Sequence, residues 1–242
     1  MIDLHGHLGV AVDDGPRTVD EARALADALL GAGVRAVACT SHVRPDKGWI
    51  NDAGVQAQIH GILDEHLADI ALTRITGAEH YVDDAVFGPG FEERVVPYGK
   101  SRYLLVETPY HGPPPDLFGL LARIRHKGFK ILLAHVERFA YLYDKDDTLD
   151  RLLDAGHLIQ VNLGSLAGAY SRAQQKAAER LLSRGCVSIL AGDCHRKEDV
   201  EVNIVQGTQA ALALCGSAMV HRLTVDNPQR ILDDLPPHRI WP

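Results

Sequence analysis

The amino-acid sequence predicts an α/β fold built on a parallel sheet, and three observations lead there. Short β-branched runs alternate with longer segments of helical spacing about seven times along the chain. Glycines close the helical segments, at Gly31 and Gly33, Gly128, Gly156 and Gly185. The 242 residues are enough for a large buried core, so a closed or nearly closed barrel is the natural arrangement, with an open doubly wound sheet as the alternative. No fixed-period repeat, low-complexity tract or linker divides the chain, and one domain over residues 1–242 is expected.

Taken in order, the first apolar run covers residues 1–4. A helix over 18–30 places Ala22, Leu25, Ala26, Leu29 and Leu30 on one side, with Thr18 as its cap and Glu21 as the capping-box partner. Strands are expected at 34–39, 70–75, 103–106, 130–133, 158–161 and 187–190, with further helices at 116–126 and 172–182. Pro113-Pro114-Pro115 reads as a rigid loop entering a helix, with Asp116 in its first turn.

Composition excludes several function classes. A formal charge of -7 argues against a broad nucleic-acid footprint, which needs clustered Lys and Arg, but leaves room for a phosphorylated group in a local pocket. No apolar run approaches a membrane span, and membrane insertion is not expected. Met1-Ile2-Asp3-Leu4-His5 lacks the basic start and apolar stretch of a secretory signal, so the expected location is the cytoplasm. Cys39, Cys186, Cys194 and Cys215 form no Cys-x-x-Cys pair, so neither a disulfide framework nor a zinc knuckle is indicated.

Strand ends carry the chemistry. The successive runs end in His5-Gly6-His7, Thr40-Ser41-His42, Gly77-Ala78-Glu79-His80, Glu107-Thr108, Ala134-His135-Val136-Glu137-Arg138 and Gly192-Asp193-Cys194-His195. In a parallel barrel all these ends lie on one face, so residues distant in sequence converge on one mouth. Imidazole and carboxylate are the usual ligands of Zn, Mn and Fe in hydrolytic sites. The i, i+2 spacing of His5 and His7 turns both side chains to one face, and Asp193 and His195 repeat it, as expected on the opposite side of the barrel. Singly, each of these residues reads as an ordinary cap or loop hydrogen-bonder. Jointly, potential ligands at six of about seven strand ends point to a metal site. His60, His66, His126, His157, His221 and His238 lack this placement and are expected in solvent, while His80 and His111 near the mouth stay open. Cys194 should point away from its two neighbours by strand alternation and reads as structural.

These motifs resemble the polymerase-and-histidinol-phosphatase superfamily, and within it the bacterial protein-tyrosine phosphatases of capsule and exopolysaccharide operons. The resemblance covers nearly the whole chain. It is carried by the strand-end motifs above together with Val12-Asp13-Asp14-Gly15-Pro16, Leu105-Val106-Glu107, His135-Val136-Glu137-Arg138-Phe139 and Gln160-Val161-Asn162-Leu163-Gly164-Ser165-Leu166. The Asp-Asp-Gly-Pro loop and the His-x-Glu-Arg stretch are specific to that branch; the bare His-x-His is not. Gly192 stands where the family usually has Ser, Val136 where it often has Pro, and the segment 110–115 fits less well.

The resemblance implies a distorted (β/α)7 TIM-like barrel with its metal site at the C-terminal ends of the strands. It implies three divalent ions, manganese foremost, with iron, zinc or cobalt compatible. His5, His7, Glu79 and Asp193 would hold the first, Glu79, Glu107 and His135 the second, and Asp14, His42 and His195 the third. Arg138 matches the family's phosphate-contacting arginine, and Arg196 is a candidate for a second contact. The implied activity is hydrolysis of phosphotyrosine by water acidified on the ions, on a partner that is an autophosphorylating bacterial tyrosine kinase of polysaccharide export. A small-molecule phosphatase acting on histidinol phosphate, a non-catalytic metal-binding module and a nuclease are the competing readings; the acidic balance weighs against the last. Cysteine-based phosphatase chemistry is excluded, because it needs an arginine six residues after the thiolate and those positions are Pro45, Gly192, Val200 and His221.

Overall fold

The computed structural model describes residues 1–143 and 146–238. Its strands are β1 (Ile2–Gly6), β2 (Ala36–Cys39), β3 (His42–Arg44), β4 (Trp49–Ile50), β5 (Thr73–Thr76), β6 (Glu79–Tyr81), β7 (Tyr103–Glu107), β8 (Lys130–Leu133), β9 (Leu158–Asn162) and β10 (Ile189–Ala191). The helices are α1 (Val19–Gly31), α2 (Ala53–His66), α3 (Asp84–Phe87), α4 (Leu117–His126), α5 (Asp146–Asp154), α6 (Leu163–Leu166), α7 (Arg172–Ser183), α8 (Lys197–Val200), α9 (Gly207–His221) and α10 (Asn227–Leu232).

Pairings run β1-β2-β5 in one sheet and β10-β9-β8-β7-β6-β3-β4 in the other. The sheets are one surface. Only Thr40-Ser41 separates β2 from β3, and only Gly77-Ala78 separates β5 from β6. With those two pairs each taken as one line and the antiparallel β4 set aside, the ten strands of the described residues reduce to seven parallel lines. A bridge from Gly6 to Cys194, just beyond β10, joins the last line to the first, so the ring of pairings closes. Two backbone hydrogen bonds hold that seam, His7 N–H to Cys194 O at 3.0 Å and Asp193 N–H to His5 O at 2.8 Å. The Asp3 carboxylate reinforces it by accepting from Gly192 N–H at 3.0 Å.

Strand alternation divides the core. Leu4, Ala38, Leu105, Leu132, Ala134 and Ile189 form one buried cluster with Tyr98 and Tyr103. Their neighbours Val37, Cys39, Leu104, Val106, Ile131, Leu133 and Leu190 belong to a second cluster, shared with helix residues such as Leu25, Leu63, Leu121 and Leu181. The first cluster therefore fills the barrel, and the second seals the helices onto it. Two steps further along three of these strands, the inward positions become polar. Ala38 leads to Thr40 and His42, Leu105 to Glu107, and Leu158 to Gln160 and Asn162, all but Leu158 buried. In β1 the register against β2 shifts by one residue between Asp3 and Gly6. That bulge lets Leu4 face inward and still turns His5 and His7 inward above it.

The helix starts follow local chemistry. Thr18 accepts from Glu21 N–H at 3.2 Å as expected, but the Glu21 carboxylate accepts from Arg17 N–H at 2.7 Å, so the reciprocal box does not close at Thr18. Asp116 is the cap of α4, accepting from Gly119 N–H at 3.2 Å, and stands before the first turn. Ser171 and Gln174 form a full capping box at α7. Among the described residues no helix is long and apolar enough to cross a membrane.

Candidate metal centre

All nine residues singled out as candidate metal ligands meet at the mouth of the barrel. Glu79, at the start of β6, lies at the centre. Its Oε2 is 3.2 Å from His5 Nε2, 3.5 Å from His7 Nε2 and 3.1 Å from His42 Nδ1, and its Oε1 is 2.8 Å from His135 Nε2. Asp193 Oδ1 is 3.4 Å from Nε2 of both His5 and His7. Glu107 Oε1 lies 3.8 Å from His135 Nε2. Asp14 Oδ1 lies 3.6 Å from His42 Nε2 and 3.3 Å from His195 Nε2. The ligand-type atoms fall into four overlapping groups, each within 4.8 Å: His7, Asp14, His42 and His195; His5, His7 and Asp193; His5, Glu79 and His135; and His42, Glu79 and Glu107.

Contrary to the expectation of opposite sides, the His5/His7 pair and the Asp193/His195 pair are neighbours. Closure of the barrel sets β1 beside β10, and the His7 and His195 rings stack with centroids 3.9 Å apart. Two of the nine residues occupy left-handed backbone, His135 at φ 30° and Asp193 at φ 53°. Such strain in non-glycine residues persists only where surrounding structure enforces it, and it clusters at functional sites.

Imidazole orientation is set from behind. His5 Nδ1 is 3.1 Å from Gln160 Oε1, His7 Nδ1 is 2.9 Å from Asp13 Oδ2, and His195 Nδ1 is 3.2 Å from the Asp193 carbonyl. Each contact places the ring proton on Nδ1 and leaves Nε2 facing the centre. Asp13 also accepts from the backbone N–H groups of His42 and Gly15, both at 3.0 Å. Gly15 is required there, since a Cβ would lie 2.8 Å from the His7 carbonyl. These contacts explain why the Asp-Asp-Gly-Pro loop is needed beyond Asp14. Asp13 carried no expected role, although its place in that motif was the available signal.

The electrostatics favour a cation. Burial works to raise the Glu79 and Asp193 carboxyls, but the surrounding imidazoles, His5 foremost, outweigh it and hold both well below the usual range. Glu107 goes the other way: burial, then the charge of Glu79, push it up to about 8. Its Oε2 has no hydrogen-bond partner among the described residues, and His42 Nδ1, though 3.1 Å from Glu79 Oε2, likewise makes no hydrogen bond. A set of inward-facing carboxylates and Nε2 atoms with polar atoms left over fits divalent cations.

Arg138 borders the centre. It ends a short 3-10 turn after β8 and lies over the Tyr110 ring at 4.4 Å and the Tyr170 ring at 5.4 Å. Its Nη1 is 3.5 Å from Asp193 Oδ2, and its Nε is buried without a partner among the described residues. A cleft of about 530 Å³ opens beside it, lined among others by Asp14, Tyr170, His195 and Arg196. Arg196 is exposed there. Arg44, which sequence reading passed over, lies over the Tyr81 ring at 4.1 Å with its Nη1 3.7 Å from Glu107 Oε2.

Residues 1–233 match the family described as "Capsular polysaccharide synthesis, CpsB/CapC". The chain belongs to that family. Among CpsB/CapC relatives, it is 29% identical to the tyrosine-protein phosphatase CpsB of Streptococcus pneumoniae, over 97% of this chain and 99% of that protein. It is 24% identical to the tyrosine-protein phosphatase YwqE of Bacillus subtilis, over 96% and 91%. Its fold is shared with the crystal structures of YwqE from Bacillus subtilis and CpsB from Streptococcus pneumoniae, described as unique metal-dependent tyrosine phosphatases. The match has a TM-score of 0.88 at 23% identity and covers 100% of this chain and 99% of the other. A more distant likeness, at TM-score 0.59 and 15% identity over 96% and 98%, is to a phosphotriesterase homology protein of Escherichia coli with phosphate in its active site. Together with the closed ring of strands, these bear out the barrel expected for a CpsB/CapC chain.

The remaining expectations divide. His80 is buried but turned away from the mouth: Nδ1 is 3.0 Å from Leu105 O, and Nε2 accepts from Val96 N–H at 3.0 Å, so it supports the fold. His111 is exposed. His157 is a correction, being only 4% exposed where solvent was expected. Its position just after a helix reads as surface, but the chain turns there into buried β9. Cys194 packs in the helix-facing cluster, and burial raises its thiol well above the ordinary value. At Gly192, where the family was expected to have Ser, a Cβ would lie 2.6 Å from Asp3 Oδ2 and 2.5 Å from Ile204 Cδ1.

Proposed function

We infer that this chain is a metal-dependent protein-tyrosine phosphatase, one catalytic domain over residues 1–242, acting in the cytoplasm. The observation that carries the reading is Arg138 fixed between two tyrosine rings at the rim of a nine-residue ligand cluster, in a chain of the CpsB/CapC family. The relatives' activity on phosphotyrosine supports extending the same activity here.

In this reading His5, His7, Glu79 and Asp193 hold one ion, Glu79, Glu107 and His135 a second, and Asp14, His42 and His195 a third. Manganese is the first choice, and iron, zinc or cobalt suit the same donors. Divalent ions there supply Lewis acidity toward phosphoryl oxygens and lower the pKa of water. The chain's own residues do the rest. Arg138 binds non-bridging phosphate oxygens through its guanidinium fork, and Tyr110 and Tyr170 keep that fork from swinging away. Arg196 offers a second, solvent-facing contact across the cleft. Glu79 turns Oε2 toward His5, His7 and His42 and Oε1 toward His135, so it would serve both the first and the second ion. A tyrosyl leaving group, with a pKa of about 10, needs less protonation than an alkyl alcohol, which suits a site with no separate acid marked. The physiological partner proposed is an autophosphorylating tyrosine kinase of polysaccharide export, in keeping with the family's place in capsule synthesis.

The experiment compares hydrolysis of a phosphotyrosine peptide, a phosphoserine peptide and histidinol phosphate by the manganese-loaded protein. Activity concentrated on phosphotyrosine is expected. Activity mainly on histidinol phosphate would overturn the protein substrate while leaving the metal site.

A further inference from the structure

Among the described residues, β9 is the one barrel strand whose end supplies none of the nine candidate ligands, yet it places two amides, Gln160 and Asn162, directly behind them. We propose that Gln160 and Asn162 are positioning residues of the metal centre, locking the tautomer of His5 and the rotamer of Asp193. The proposal rests on the metal-centre reading above.

The argument is one of donors and acceptors. An imidazole that holds an ion through Nε2 carries its proton on Nδ1, and a buried N–H needs an acceptor. For His5 that acceptor is Gln160 Oε1 at 3.1 Å. The same oxygen accepts the backbone N–H of His135 at 2.7 Å, so one amide ties together ligands from β1 and from the end of β8. With its oxygen so engaged, Gln160 turns Nε2 the other way and donates to Asn162 Oδ1 at 2.6 Å. That fixes Asn162, whose Nδ2 donates to Asp193 Oδ2 at 2.7 Å. Asp193 Oδ1 is thereby left facing His5 and His7 Nε2, 3.4 Å from each. Asn162 is itself anchored, its backbone N–H donating to Glu137 Oε1 at 3.1 Å.

The chain has one direction. Flipping either amide would set N–H against N–H or oxygen against oxygen, and Gln160 and Asn162 are both wholly buried, so no water replaces a lost partner. A pair of leucines would fill the same space but would leave the His5 Nδ1 proton without a partner and Asp193 Oδ2 with only the longer Arg138 Nη1 contact at 3.5 Å. Carboxylates would fail as well, since one at 160 could not donate to Asn162 and one at 162 could not donate to Asp193. The i, i+2 spacing on an extended strand is what brings two amides to the same inner face.

The test uses the full chain stripped of metal and titrated with manganese, reading the apparent dissociation constant, and with cobalt, reading the visible absorption spectrum. Gln160→Met and Asn162→Ala are each expected to weaken manganese binding by about 10- to 100-fold and to change the cobalt spectrum. Gln160→Glu keeps an acceptor for His5 and is expected to recover part of the affinity lost in Gln160→Met. Melting of each metal-free variant reports folding; should Gln160→Met not fold, Gln160→Glu against Asn162→Ala carries the comparison. Folded Gln160 and Asn162 variants that bind manganese as tightly as wild type, with an unchanged cobalt spectrum, would overturn the proposal and leave the metal centre standing. A folded wild-type chain that binds no divalent metal would overturn both.

Discussion

The Arg138 guanidinium lies 4.4 Å from the centre of the Tyr110 ring, and that ring in turn packs edge-on against His135, centroids 5.7 Å apart. The arginine proposed to hold phosphate and a candidate metal ligand are thus tied through one aromatic ring. Arg138→Ala is expected to lower kcat/KM on a phosphotyrosine peptide by about 10²- to 10³-fold, the usual cost of removing one donor to a developing oxyanion. Arg138→Lys should recover only part of this, because an ammonium has no fork to match two oxygens. Tyr110→Leu leaves the charge and removes its platform, so a smaller loss is expected, mostly in KM. Steady-state kinetics on the three variants check the order.

Glu79 touches His5, His7, His42 and His135 at once, within 3.5 Å of each. Glu79→Gln keeps the shape and removes the charge. It should release bound metal and abolish turnover with little change in far-ultraviolet circular dichroism. Retention of metal at the wild-type ratio would count against Glu79 as the shared ligand.

How much of this site was legible in the sequence depends on which physical rule governs each residue. The strand-end candidates were legible because a parallel barrel sends every C-terminal end to one face. The neighbouring positions of the two i, i+2 pairs were not, since the Gly6–Cys194 seam comes from ring closure and leaves no local pattern. His80 sits beside Glu79 and could not be sorted by position. Its structural role depends on Val96, which a loop brings back against it. Arg44, Tyr110 and Tyr170 gave no spacing signal, because each reaches the mouth from a separate segment. β2 and β5 break before His42 and Glu79 for a local reason, since Glu79 N–H is shared between Thr40 O at 3.2 Å and Ser41 O at 3.3 Å.

Buried His157 should make stability depend on acid. Burial first, then the charge of Arg125, pull its pKa from 6.5 down to about 4. The folded state therefore binds fewer protons than the unfolded state between those values, and stability present above pH 6.5 is lost as pH falls toward 4. The loss from this group is at most about 3 kcal/mol. Urea denaturation at a series of pH values should show a shallower decline over that window in His157→Phe than in wild type.

Gly192→Ala tests the seam of the barrel. The added Cβ would meet Asp3 and Ile204, so one of them must move within a packed interior. A destabilisation of about 1–3 kcal/mol is expected from overpacking, measured as a lower denaturation midpoint.

The most direct measurement is a manganese titration of the metal-stripped chain, followed by hydrolysis of a phosphotyrosine peptide. The account predicts no turnover without metal and recovery of activity as manganese is added, with Glu79→Gln inactive throughout. Equal turnover before and after stripping, or none in a folded and metal-loaded sample, would contradict it.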